Sequence, residues 1–437
     1  MKVAFGSASK RRLSRALLGV SVAVAILSLP GCATYSASFA KVESAAANRD
    51  LKEAIKSLDE LKLSGPDELL HHLNKGTLLS LQGDYAESNR HFDAAKSLME
   101  TLNAISVTEQ AASVISNDTV KAYEGLPSEQ LMIYSFEALN YLQLGNIDDA
   151  AVEARQFDVK QGLIAEKNKG ANYLSGAFVR YLNGMVYEAA GERGDAVIEM
   201  RKALEGYKAQ DSDFPVPQKL REDMARLAAG KPAVSEVVLI LHNGLGASVD
   251  ENNIRVANPF YDPRKTGDIA MLSLAVPKFV KRSLPVDHVV LSSGANSATS
   301  EVVEDVNGIA EKSFNDRMPA IIARGALRMV AKNVAAQEAK KRMQDNPYAV
   351  LLNVVTDVAT NVSERADTRS WSLLPGNIQM ARLALPEGRH DLTATYYGSY
   401  GNIVGVREFK GVELKSGRKV FVSDYYLNPP AAPKAAN

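Results

Sequence analysis

One cysteine and six histidines are the side chains of this 437-residue chain best suited to covalent or metal chemistry. Cys32 has no second cysteine to pair with, so no disulfide forms, and its thiol follows the small residue Gly31. The histidines are His71, His72, His91, His242, His288 and His390, and none shows a known metal-ligand spacing. His71 and His72 are adjacent, so on a helix they point about 100° apart. His242-Asn243-Gly244-Leu245-Gly246-Ala247-Ser248 follows an apolar run and superficially resembles an oxyanion-hole loop, but no Gly-x-Ser-x-Gly elbow accompanies it. It reads as a turn after a strand, and a hydrolase built on His242 and Ser248 is the alternative. Asp250-Glu251-Asn252-Asn253 lacks the alternation and glycine of a calcium loop. Phosphate-cradling and dinucleotide fingerprints are missing. The expectation is a non-enzyme without cofactor or metal.

The start of the chain explains the cysteine. Lys10, Arg11, Arg12 and Arg15 precede an apolar run from Ala16 to Leu29, and Leu29-Pro30-Gly31-Cys32 closes it. The run is roughly 14 residues, short of the about 20 that a membrane span needs. Residues 1–31 therefore read as a signal peptide. The closing tetrad resembles the bacterial lipobox, which implies a diacylglycerol on the Cys32 thiol and an acyl chain such as palmitate on its amino group. Several chains anchor stably where one does not. Residue 33 is Ala rather than Asp, which by the enteric sorting rule implies the outer membrane, facing the periplasm. Five of the 51 basic residues lie in 1–31, leaving 46 against 51 acidic residues and a charge of −5. Such a chain has no electrostatic footprint for nucleic acid.

Residues 32–208 are rich in Ala, Leu, Glu, Lys and Gln with apolar residues at spacings of three and four, the pattern of packed amphipathic helices. Leu73-Asn74-Lys75-Gly76, Gly83-Asp84-Tyr85-Ala86, Phe92 and Ala95 form a unit. Ala138, Gly145, Ile147, Ala150, Ala154 and Phe157 repeat it, as do Gly184, Gly191, Ala196, Met200 and Ala203. A fainter copy has its turn at Arg49-Asp50-Leu51. Turn positions 49 and 83 are 34 residues apart, the tetratricopeptide period, and these units resemble tetratricopeptide repeats. Further helices are expected near Glu100–Ile115 and, within a connector at 209–233, near Gln218–Ala229.

Residues 234–427 read as an α+β domain and 428–437 as a disordered Pro/Ala-rich tail. Strands are expected at Val237–Leu241, Ile269–Val276 and His288–Leu291, and helices at Glu301–Phe314, Pro319–Met343 and Tyr348–Asp367. Met380–Leu385 with His390–Tyr397, and Val404–Leu414 with Lys419–Tyr426, read as two hairpins of a β-sandwich-like sheet. The fold class is thus a tetratricopeptide-like α-solenoid followed by an α+β domain.

Two stretches carry a wider likeness: Tyr123-Glu124-Gly125-Leu126-Pro127-Ser128-Glu129 with Tyr134 and Ala138-Leu139-Asn140-Tyr141-Leu142, and Asp367-Thr368-Arg369-Ser370-Trp371 with Leu374-Pro375. Bottom-up, Gly125 and Pro127 end one helix while Ser128 caps the next, and Asp367 with Arg369 braces a domain corner. Together the stretches resemble a family of largely uncharacterised tetratricopeptide-repeat lipoproteins of Gram-negative bacteria. The resemblance implies a lipid-anchored cell-envelope scaffold or adaptor, with envelope or peptidoglycan assembly as its setting and a protein or peptide as its partner. It also implies that helix A lines a concave groove. That places Thr77, Ser80, Ser135, Leu139, Tyr181, Met185 and Glu188 in the partner site. A structural lipoprotein of a secretion or surface apparatus is the other reading.

Overall fold

The computed structural model describes residues 35–109, 121–210, 215–257, 271–342 and 365–427. The signal peptide, Cys32, the tail 428–437 and nearly all of the helix expected at Tyr348–Asp367 lie outside the described residues.

Four antiparallel helix pairs come first: α1 (Tyr35–Ala47) with α2 (Leu51–Glu60), α3 (Glu68–Gln82) with α4 (Tyr85–Glu109), α5 (Pro127–Gln143) with α6 (Ile147–Lys167), and α7 (Ala177–Ala190) with α8 (Arg193–Ala209). The four turn positions aligned by sequence share one backbone conformation: φ is 59° at Arg49, 89° at Gly83, 77° at Gly145 and 86° at Gly191. A left-handed residue there lets the next amide reach back to the helix end, as Asp84 N–H does to Leu79 O at 2.9 Å. The small mid-helix residues let the pairs close. A β-carbon on Gly76 would lie 2.7 Å from the Phe92 ring, and one on Gly184 would lie 2.5 Å from Met200. One expectation fails here. No separate helix begins at Glu100, because α4 runs unbroken to Glu109.

After α9 (Gln218–Ala228) the chain builds two four-stranded sheets. The first has the order β10-β1-β7-β6, with β1 (Glu236–Leu245) between antiparallel β7 (Pro375–Ala384) and parallel β10 (Lys419–Tyr426), and with β6 (Glu301–Glu304) at one edge. The second has the order β5-β4-β8-β9, from β4 (His288–Ser293), β5 (Asn296–Thr299), β8 (Gly388–Tyr397) and β9 (Ile403–Leu414). A ribbon of β2 (Ser248–Ala257) and β3 (Met271–Val280) packs Leu274 and Val276 against Met329 of the long helix α10 (Val306–Arg342).

Neither expected hairpin forms. The turn at Pro386–Arg389 carries the chain from the first sheet to the second, and the turn at Lys415–Arg418 carries it back. The hairpin is β8–β9, which pairs Tyr397 with Ile403. Alternating residues around a glycine-containing turn look the same for a hairpin and for a sandwich corner. The choice rests on what covers each face, and nine of ten β7 residues are buried. Likewise Glu301–Glu304 is a strand, and α10 then passes through Pro319 as one helix where two were expected.

The sheets form a sandwich, with Val237, Leu239, Leu241 and Leu383 facing Val289, Leu291, Leu392 and Tyr396. The first sheet's other face, with Val238, Ile240, Ile378, Met380, Phe421 and Tyr425, shares one core with α3 to α9. The architecture is three layers, helices on sheet on sheet, in the expected α-then-α+β order. Among the described residues, no helix is long and apolar enough to cross a membrane.

Candidate functional site at the junction of helices and sheet

The side chains expected to line an open groove are engaged inside the chain, by neighbouring helices, by Trp371 or by the first sheet. Thr77 is fully buried, and its Oγ1 accepts from the Trp371 indole N–H at 3.0 Å. Ser80 donates to Asn140 Oδ1 at 2.7 Å, while the buried Ser135 bonds its own helix at Met132 O. Leu139 and Met185 are core residues, and Tyr181 accepts from Arg382 of β7. Glu188 binds Lys419 of β10 at 3.2 Å. This corrects the open-groove expectation. Both faces of β1 are apolar, so the face away from the sandwich must be buried too, and the helices bury it. The segment 209–233 is correspondingly no free connector, since Leu220 and Leu227 of α9 belong to the shared core.

At one end of this interface six buried charges alternate in a closed ring. Arg382 pairs with Asp223 and Glu236, Lys419 with Glu236 and Glu188, and Arg226 with Glu188 at 2.6 Å and Asp223 at 3.0 Å. Three cations and three anions leave the ring neutral, which is what allows charges into so dry a place. Burial alone would push the carboxyls of Asp223 and Glu236 up, but Arg382 and Lys419, with Arg226 at Asp223, together outweigh it and hold both below their ordinary values. Sequence reasoning missed the ring, although the signals were there: Glu236 heads Val-Val-Leu-Ile-Leu, and Arg382 interrupts Met-Ala-Arg-Leu-Ala.

At the other end the two stretches that carried the wider likeness meet. Glu129, in the first turn of α5, accepts from Leu126 N–H at 2.8 Å and from the Tyr123 hydroxyl through one oxygen. Its other oxygen accepts from Trp371 N–H at 2.8 Å. The helix is thus capped by Glu129 reaching back to Leu126, with Pro127 at its first position, rather than by Ser128. Arg369 pairs with Asp367 at 2.7 Å and Asp67 at 2.9 Å, donates to Lys121 O, and lies over the Tyr123 ring. The corner expected at Asp367–Trp371 is therefore a brace across both halves. From it a file of rings runs inward: Trp371 lies 5.3 Å from Phe136, Phe136 lies 5.0 Å from His242, and His242 lies 4.4 Å from Tyr425.

Beside this brace lies a cavity of about 60 Å³, walled by Met132, Val179, Phe279, Val306, Phe314 and Leu374. Half-buried Leu126, Ser128 and Tyr173 also line it. Two buried acids reach it, Glu129 and Glu304. Glu129 is fully engaged by its three donors. Glu304 receives the N–H of Phe178, in the first turn of α7, while its Oε2 has no partner. Burial pushes the Glu304 carboxyl up to about 8. The site is thus apolar, with one acid able to donate or accept a hydrogen bond. Glu304 was legible as an anomaly, an acid ending Val302-Val303 before an apolar helix, but its destination was not.

The His242–Ser248 pairing does not form. Both ring nitrogens of His242 lack hydrogen-bond partners, and burial holds its pKa down at about 3. Ser248 opens β2, across a loop in which Ala247 N–H donates to Asn307. The carboxylates of Asp93, Glu137 and Glu153 converge closely enough for a cation, but the Lys96 ammonium stands among them at 3.1, 2.8 and 2.9 Å. Compared with known proteins, the chain matches no family model, no curated protein and no solved structure.

Proposed function

We propose that this chain is a lipid-tethered adaptor of the bacterial envelope whose cavity at the helix–sheet junction receives a largely apolar side chain with one hydrogen-bonding group, from a protein or peptide partner. The observation that carries the reading is Glu304, a buried carboxyl with one unpartnered oxygen at a mostly apolar cavity. Buried polar groups are nearly always bonded, and those that are not mark places where something binds or moves. The tetratricopeptide-like pairs hold the chain's own sheet, so the partner surface shifts from the concave side to the cavity mouth at Leu126, Ser128 and Tyr173. Tethering follows from Cys32 and its lipobox-like setting, and envelope or peptidoglycan assembly from the family likeness.

A photoreactive residue at Ser128, expressed in cells, should give one discrete adduct, and Ala310→Trp, which fills the cavity, should abolish it. The same probe at exposed Val406 of β9 serves as the control. Identical adducts at both positions, or an Ala310→Trp chain that cross-links unchanged, would overturn the cavity as the partner site. Cys32→Ala should separately abolish palmitate labelling and membrane retention.

A further inference from the structure

The helix pair α3–α4 places three histidines together that are far from an ordinary spacing in sequence. His71 and His72 sit on α3 and His91 on α4, and all three are half-buried. The turn at Gly83 folds α4 back along α3, bringing His72 Nδ1 to 2.9 Å from His91 Nδ1. The ring centroids form a triangle of 5.1, 5.6 and 6.0 Å. Two imidazoles bound to one metal have centroids about 5 Å apart, given metal–nitrogen bonds of about 2.0 Å, and of the three pairs His72 and His91 meet this.

The charges around the trio favour neutral rings. Burial first, then neighbouring His72, His71 and Lys75, hold His91 down at about 4, and burial lowers His71 and His72 as well. Of the acids that face them, Asp59 is engaged through both oxygens by Lys75 at 2.6 Å, and Glu68 lies near His71 and His72. Glu87 Oε1 lies 4.0 Å from His91 Nε2, on the side of the ring away from His72. An acid there favours the Nε2–H tautomer, leaving the Nδ1 lone pair turned toward His72.

We propose that His72 and His91 form a two-imidazole surface site, completed by water, for a late first-row divalent metal ion, Cu²⁺ before Ni²⁺ or Zn²⁺. The 2.9 Å separation decides the order of preference. With bonds of about 2.0 Å it subtends roughly 90° at the metal, the angle of the tetragonal sites that Cu²⁺ and Ni²⁺ adopt. A tetrahedral Zn²⁺ needs the nitrogens about 3.3 Å apart, so the rings would have to spread.

The test titrates Cu²⁺ alone into the full untagged chain and into His72→Gln/His91→Gln, following electron paramagnetic resonance and visible absorption. The wild type should bind one equivalent with hyperfine coupling to at least two nitrogens. The double variant should lose roughly a hundredfold in affinity and that coupling, with thermal unfolding of the metal-free chains unchanged. Equal affinity and equal spectra for wild type and double variant would overturn the site, leaving the 2.9 Å contact as a hydrogen bond between two rings. Should the double variant be misfolded, nitrogen coupling in the wild type from fewer than two imidazoles would overturn it equally.

Discussion

The two ends of the helix–sheet interface do the same work with opposite materials. One end closes through a ring of six charges, Arg382, Asp223, Arg226, Glu188, Lys419 and Glu236. The other closes through the file Phe92, Trp371, Phe136, His242 and Tyr425. Apolar packing tolerates small shifts, because each atomic contact is worth little by itself. A closed ring of buried charges tolerates none, because every partner removed leaves a charge uncompensated. The ionic end therefore fixes the register of sheet on helices, while the aromatic end supplies affinity between them. The cavity and its unpartnered carboxyl lie beside the aromatic end, where packing leaves room.

The largest effect should come from Arg382→Met, which leaves Asp223 only Arg226 and Glu236 only Lys419, with the ring one charge negative. Denaturant unfolding should show a loss of about 3–5 kcal/mol, and the added change Glu236→Gln should recover about half by restoring neutrality. No recovery would mean that the ring does not act as a neutral unit. At the aromatic end Trp371→Ala should cost about 3–5 kcal/mol by opening a cavity, with no rescue from any charge change. Because one core spans both halves, helical and near-ultraviolet signals should be lost in a single transition in either variant.

Acidity reads the aromatic end twice, through His242 in its file and through Glu304 in the cavity beside it. His242 folds with its pKa at about 3, so between that value and its ordinary value near 6.5 the unfolded chain binds the extra proton, and stability falls on acidification. Glu304 folds with its pKa at about 8, so above its ordinary value of 4.5 the folded chain holds the extra proton, and stability falls as pH rises through 8. Each contributes a slope of about 1.4 kcal/mol per pH unit in its window. His242→Phe should remove the acid-side slope and Glu304→Gln the alkaline-side slope, read as differences from wild type. A wild-type slope retained in either variant would show that the named group is not its source. Smallest is Gly83→Val, outside both ends, where φ of 89° should cost about 1–2 kcal/mol without altering either pH slope.

What the sequence made legible was local. Gly83, Gly145 and Gly191 align by residue type and Arg49 by its spacing, because each position needs one backbone conformation, and the structure gives all four positive φ. Val237–Leu241 reads as a strand because both of its faces are apolar. Pairing was not legible, since β1 finds β10 from the far end of the chain and β8 turns away from β7 to join β4. The Tyr123–Glu129 and Asp367–Trp371 stretches were each visible, yet nothing in either names the other as its partner. The groove residues failed for a related reason: a helix reading identifies which side chains face inward, and not that the occupant is the chain itself.

The parallel strand β10 is the last described element of the chain, and it seats Phe421 and Tyr425 against helices that begin at Tyr35. A ribosome adding about 5–20 residues per second needs roughly ten to forty seconds to cover the distance from the end of α8 to that strand. Helix pairs that formed before that strand arrived would present a water-exposed apolar hollow whose cover has not been made. A truncation of only the final strand, which leaves that hollow uncovered, would be expected to aggregate.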